Sequence, residues 1–203
     1  MILNIKQKYK NIFSAEFDVY DDNIVIANIQ VQGASGSKEC KCLINYKGRP
    51  IVLDNIKDMK INAKKRNRIY RITYDNKVVG YMYQTKQGLF SKKSIIQLSL
   101  PASLCDNYRI LKEEKLINMI YQGSMQIGEF ERSTTIIDMM YHYNLYAINE
   151  EYAVKSLLIL LYNYIIDGFN PGEKVANSYE KKEFKNNKKD LLKYNSEFKY
   201  QVK

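Results

Sequence analysis

One stretch late in the chain limits the fold more than anything else. From Ala153 to Ile166 apolar residues follow one another, marked by Lys155 and Asn163. Within it Leu157, Leu158, Ile159, Leu160 and Leu161 are consecutive. An α-helix turns about 100° per residue, so five consecutive apolar residues point in every direction around the axis. A helix that is apolar all round is buried all round. The stretch is too short and too interrupted to cross a bilayer, which takes about 20 apolar residues. Its ends carry helix signals. Asn149 is an N-cap residue, and Glu150 and Glu151 occupy the first turn, where the helix dipole favours negative charge. Glu151 and Lys155 form an i,i+4 pair. Asp167-Gly168 ends the helix, with Gly168 as a C′ residue and Pro171 blocking continuation. A helix over 150–167 is about 27 Å long, the height of a small barrel.

What precedes it reads as strands. Ala15 to Gln32 alternates apolar and polar residues, with Phe17 and Val19 on one face, a turn at Asp21-Asp22-Asn23, and a return from Ile24 to Val31. Gly33 to Ser37 reads as a flexible loop. A second pair runs from Cys40 to Tyr46 and from Ile51 to Leu53, around Lys47-Gly48-Arg49-Pro50. The third is the clearest: Tyr70, Ile72 and Tyr74 share a face, Asp75-Asn76-Lys77 turns the chain, and Val78 to Tyr83 returns. A strand from Ser94 to Leu100 ends at Pro101. Further strands are expected at Ser124 to Glu131 and at Ile136 to Tyr146, where Tyr141, Tyr143 and Leu145 share a face. Tyr70 through Gln84 is echoed at Tyr108 through Gln122, with a constant offset of 38 and charged turns between. A hairpin unit used repeatedly suits a meander sheet or a barrel.

Consecutive hairpins followed by one apolar helix resemble the tubby C-terminal-like superfamily, which includes LURP-one-related proteins and phospholipid scramblases. The resemblance is carried by the hairpin Tyr70 to Tyr81, its echo at Tyr108, the polar segment Phe90-Ser91-Lys92-Lys93-Ser94-Ile95, and the helix Val154 to Ile166. It covers roughly residues 10 to 167 and is a pattern of elements rather than a signature. It implies a closed antiparallel barrel around a central helix. The expected class is therefore mainly β (α+β). Residues 1–170 form the barrel domain with a central helix over 150–167, and 171–203 form a lysine-rich, partly helical tail. The resemblance also implies a non-enzymatic protein. Some members bind phosphoinositides through basic residues on the barrel wall, others are proposed to move lipids, and many bacterial members have no assigned role.

The chemistry-bearing residues are few. His142 is the only histidine and sits in a strand-like run, where a structural role is expected. The carboxylate pairs Asp21-Asp22 and Glu113-Glu114 belong to turns, and Glu150-Glu151 to a helix start. Cys40-x-Cys42 lacks the second ligand pair of a structural zinc site. Gly33-x-x-Gly36 lacks the rest of a nucleotide fingerprint. No catalytic residue, metal or cofactor is expected.

Charge points elsewhere. The 203 residues carry a net +10, which favours anionic partners, although a chain rich in Lys, Asn, Ile and Tyr also reflects compositional bias. Lys60, Lys64, Lys65, Arg66 and Arg68 cluster between two strands, and Lys92 and Lys93 lie in another connection. Brought to one end of a barrel, they would make an anion site for a lipid headgroup or membrane surface. Tail lysines such as Lys181, Lys185 and Lys189 would add attraction. The alternatives are a protein-interaction or scaffold module without a small ligand and, third, non-specific nucleic-acid binding. The last needs exposed stacking aromatics, whereas most of the 18 tyrosines alternate with aliphatics. Three cysteines argue against a disulfide framework and for a reducing compartment. Met1 to Lys10 lacks the apolar core of a secretory leader. The expected location is cytoplasmic, with peripheral membrane contact in the lipid-binding reading.

Overall fold

Two-residue turns organise the chain. Lys47-Gly48, Asp75-Asn76 and Glu113-Glu114 all have positive φ at both positions, the signature of the type I′ turn whose twist matches a hairpin. The expected three- and four-residue turns are thus tighter, and Arg49, Lys77 and Lys115 belong to strands.

The computed structural model describes residues 1–11, 13–33, 40–56, 69–86, 92–99, 102–134, 140–168 and 186–202. It contains twelve strands: β1 Ile2–Lys10, β2 Ser14–Asp21, β3 Ile24–Gln32, β4 Lys41–Tyr46, β5 Arg49–Asn55, β6 Tyr70–Tyr74, β7 Lys77–Lys86, β8 Lys92–Ser99, β9 Ala102–Lys112, β10 Lys115–Gln122, β11 Met125–Ser133 and β12 His142–Ala147. Each pairs antiparallel with the next, and β12 pairs with β1, so the meander closes into a barrel. The closing strand β1 lay outside the strand reading of the sequence, although Leu3 and Ile5 alternate onto the core face. The expected start of β12 at Ile136 lies partly outside the described residues; the observed strand begins at His142.

The apolar helix fills the barrel. α1, Glu150–Asn163, continues as a π-helical turn, Tyr164–Gly168. Asn149 caps it by accepting a hydrogen bond from Tyr152 N at 3.0 Å, and Glu151 pairs with Lys155 at 2.7 Å. Leu157 to Leu161 are all buried, as a helix enclosed by a wall requires. Tyr162 meets Tyr70 of β6 edge-on at 5.7 Å between ring centroids, and Tyr164 meets Phe17 of β2 at 4.9 Å. Gln7 reaches in from β1. Its amide donates to the Tyr164 hydroxyl at 2.8 Å and its carbonyl accepts from Tyr141 N at 3.0 Å. Opposite α1 on β11, Gly128 leaves the room that Ser156 occupies, because a Cβ there would collide with the Ser156 hydroxyl.

The echoed hairpins coincide in turn position but not in facing. Tyr70 and Ile72 point into the barrel, whereas Tyr108 and Ile110 belong to a second apolar cluster with Ile117, Met119 and Tyr121. Cys105 lies in the inner core, so strand alternation puts Tyr108 and Ile110 on the outer wall. A one-residue difference in parity reverses every side chain of a strand.

The outer cluster is covered by the C-terminal segment, with α2 (Lys188–Leu191) and α3 (Phe198–Gln201). This agrees with a partly helical appendage, and its attachment is specific. β8 bonds to β9 only as far as Asp106, leaving the rest of that edge of β9 to the segment. The Asn186 side chain accepts from Leu111 N at 2.7 Å and donates to Leu111 O at 2.8 Å. Asp190 accepts from Arg109 N at 3.3 Å, and the Tyr121 hydroxyl donates to Lys193 O at 2.7 Å. Phe198 and Val202 are buried, and α3 contacts β11.

Candidate functional site

In an antiparallel meander alternate connections share one end. The turns after β2, β4, β6 and β10 therefore lie at the end where β12 hands over to α1. Between the first turn of α1 and the wall of β4 to β7 lies a cleft of about 700 Å³, within the usual size range of small-ligand pockets. Its apolar lining is Ile51, Ile72, Val79, Val154 and Leu158. The polar lining is Tyr46, Lys47, Arg49, Tyr74, Glu150, Glu151 and Lys155.

Local structure fixes each polar group. Lys47 sits in the β4–β5 turn and binds Glu150 at 2.8 Å. That hydrogen bond holds the Glu150 carboxyl below its ordinary range. Lys155, only 4% exposed, is held by Glu151 and by the Gln122 side-chain oxygen at 3.2 Å. The Tyr46 hydroxyl is buried beside the Glu150 carboxylate, and burial together with that carboxylate raises its pKa. Arg49 donates to the Tyr74 hydroxyl at 2.9 Å, which raises the guanidinium pKa further. Three cations thus face two carboxylates, and Lys47 and Lys155 take both. Among the described residues, Arg49 is left as the cleft cation without a carboxylate ion pair. Chemically, the arrangement offers one guanidinium beside an apolar pocket, which suits an anion attached to a hydrophobic group.

The residues singled out in the sequence lie elsewhere. Lys60, Lys64, Lys65, Arg66 and Arg68 fall outside the described residues. Lys92 and Lys93 are not in a connection: they open β8, opposite Lys86 and Thr85 of β7. The strand ends flanking these segments, Asn55, Tyr70, Lys86 and Lys92, stand at the end of the barrel where α1 finishes, opposite the cleft. Sequence reasoning missed the cleft because Lys47 and Arg49 looked like turn residues and its lining comes from separate strands and the helix.

The other chemical candidates are accounted for. His142 is exposed on β12. Cys40, Cys42 and Cys105 are free and buried, and burial raises the pKa of the Cys42 thiol and pushes the Cys105 thiol up to about 11, which disfavours the reactive thiolate at both. Among the described residues, no group of three or more His, Cys, Asp or Glu side chains is placed to hold a metal ion. No described helix is long and apolar enough to cross a membrane. No family model, curated protein or solved structure matches the chain. The class defined by the fold and site is a closed twelve-stranded antiparallel barrel, filled by a helix and open at one end into a cleft.

Proposed function

We propose that this protein is a non-enzymatic binding module whose cleft takes an amphipathic anion, with an anionic phospholipid as the leading ligand class. Arg49 carries the reading: among the described residues it is the cleft cation without an ion-paired carboxylate, and it borders an apolar lining. The headgroup would bind Arg49 and the Tyr74 hydroxyl, and the first methylenes would lie against Ile51, Ile72 and Leu158. A net charge of +10 would draw the protein to anionic surfaces. The barrel-and-helix order is in keeping with membership of the tubby C-terminal-like superfamily, and three free cysteines are in keeping with a cytoplasmic location, peripheral to a membrane when lipid is bound.

The test is cosedimentation with phosphatidylserine-containing vesicles. The wild type should sediment, and Arg49→Ala should weaken binding about tenfold, the scale of one charge-assisted bond. A Lys92→Ala/Lys93→Ala protein should bind normally. Loss in the double variant with no change in Arg49→Ala would move the site to the opposite end of the barrel, and no binding by the wild type would sink the lipid reading. A protein-interaction role is the second reading, favoured by an outer wall that already holds a peptide segment over β9 to β11. Nucleic-acid binding stays third: Tyr70, Tyr143, Tyr162 and Tyr164 are buried in the core and unable to stack on bases.

A further inference from the structure

The wall of β9 to β11 is covered by the chain's own segment 186–202. That segment holds its own turns with local bonds such as Lys193 N to Asp190 O and Phe198 N to Asn195 O, and it meets the wall through side chains and one carbonyl rather than as an added strand. Side chains of Asn186 and Asp190 satisfy the open edge of β9, while Phe198 and Val202 provide apolar anchors. Beneath it lie two acidic side chains on the outer face of β11. Glu129 is 2% exposed and Glu131 is 3% exposed. A strand's outer face is an unusual place to bury two carboxylates, since an ionised group taken from water costs stability unless well paired.

Their partners differ. Glu131 accepts from Lys115 at 2.9 Å and from the Tyr146 hydroxyl at 3.3 Å. Glu129 receives a neutral donor, the Gln126 amide, at 3.2 Å. The charged groups acting on Glu129 are Glu131 from its own strand, Lys115 from β10 and Lys199 from α3. The phenols Tyr121, Tyr146 and Tyr194 lie close enough to feel its charge. Burial outweighs both lysines and, with Glu131, pushes the Glu129 carboxyl up to about 7.

We propose that residues 186–202 form a proton-sensitive strap, which grips the β9–β11 wall when Glu129 is protonated and loosens when Glu129 is ionised. The direction follows from linkage: an acid whose pKa is raised in the docked state opposes docking above that value, and the opposition fades as pH falls through it. Released, the wall exposes the Arg109 and Leu111 edge groups together with Tyr108, Met119 and Tyr121, an edge and apolar face suited to pairing with another extended segment.

Hydrogen exchange on the full-length protein reads the strap directly, because the Arg109 and Leu111 amides bond to it rather than to a strand. Corrected for intrinsic rates, their protection should rise roughly 25-fold from pH 8 to pH 5.5, the linkage expected for a carboxyl moving from 4.5 to about 7. Glu129→Gln should hold protection high and flat with pH. Phe198→Ala should lower it at both pH values while β10 amides such as Ile117 and Met119 stay protected. Wild-type protection independent of pH, a pH dependence that persists in Glu129→Gln, or unchanged protection in Phe198→Ala would overturn the strap.

Discussion

Single residues carry strain and satisfaction that a sequence pattern does not display. Glu113 and Glu114 both hold left-handed backbone, with φ of 49° and 60°, a conformation that costs an L-residue roughly 1–2 kcal/mol. Asparagine tolerates it better, so Glu113→Asn should stabilise the protein by about 0.5–1 kcal/mol in urea unfolding. The Glu113 side chain is exposed, and its pair with Lys112 is loose at 3.7 Å, so little is lost. Gln7 is the opposite case. Its two bonds link β1 to the end of α1 and to Tyr141, and Gln7→Leu removes both from a buried setting. Unfolding should then show a loss of about 2 kcal/mol. The alternation of Leu3 and Ile5 is a strand pattern that the sequence reading passed over, and it puts Gln7 on the same inner face, but nothing in the pattern shows which groups the amide ties.

At the level of elements, α1 was the most legible part of the molecule. Asn149, the Glu151–Lys155 pair and the apolar run Leu157 to Leu161 act as their chemistry indicates. Its close approach to β11 was not legible, since an isolated Gly128 in a strand has many explanations. Gly128→Ala would set a Cβ against the Ser156 side chain, whose hydroxyl must turn away and whose Cβ must give slightly, and should cost about 2 kcal/mol. Ser156→Gly in the same protein should recover part of that, and a double-mutant cycle would show the coupling. Additive losses would mean that the two elements do not press on each other at this point. The echoed hairpins teach a related lesson. Tyr70 and Tyr108 occupy equivalent places before their turns, yet one is core and the other is outer wall. Repetition revealed the unit, and the unit's facing depended on barrel register, which sums over all the strands between. The strap was hidden for another reason: Asn186 and Asp190 bind backbone groups, and such bonds leave no periodic trace in a sequence.

At the scale of the whole molecule, closure of the sheet decides what can be a site. The core of the barrel is occupied by α1, and the described cleft lies at one end. The described strand ends that flank the basic segments, Asn55, Tyr70, Lys86 and Lys92, stand at the end where α1 finishes. The cleft belongs to the end where α1 begins, and it exists only because β4 to β7 and the helix converge there. Charge density in a sequence marks exposed segments well, whereas a pocket made from five or six elements requires the fold. The chain has no tryptophan, so Val79→Trp places a single indole reporter on the cleft wall. Titrating that protein with monomeric short-chain phosphatidylserine should give a saturable blue shift. Short-chain phosphatidylcholine should give little, and adding Arg49→Ala should weaken the phosphatidylserine response about tenfold. No shift with either lipid, or an equal shift with both that Arg49→Ala leaves unchanged, would contradict a cleft built for an amphipathic anion.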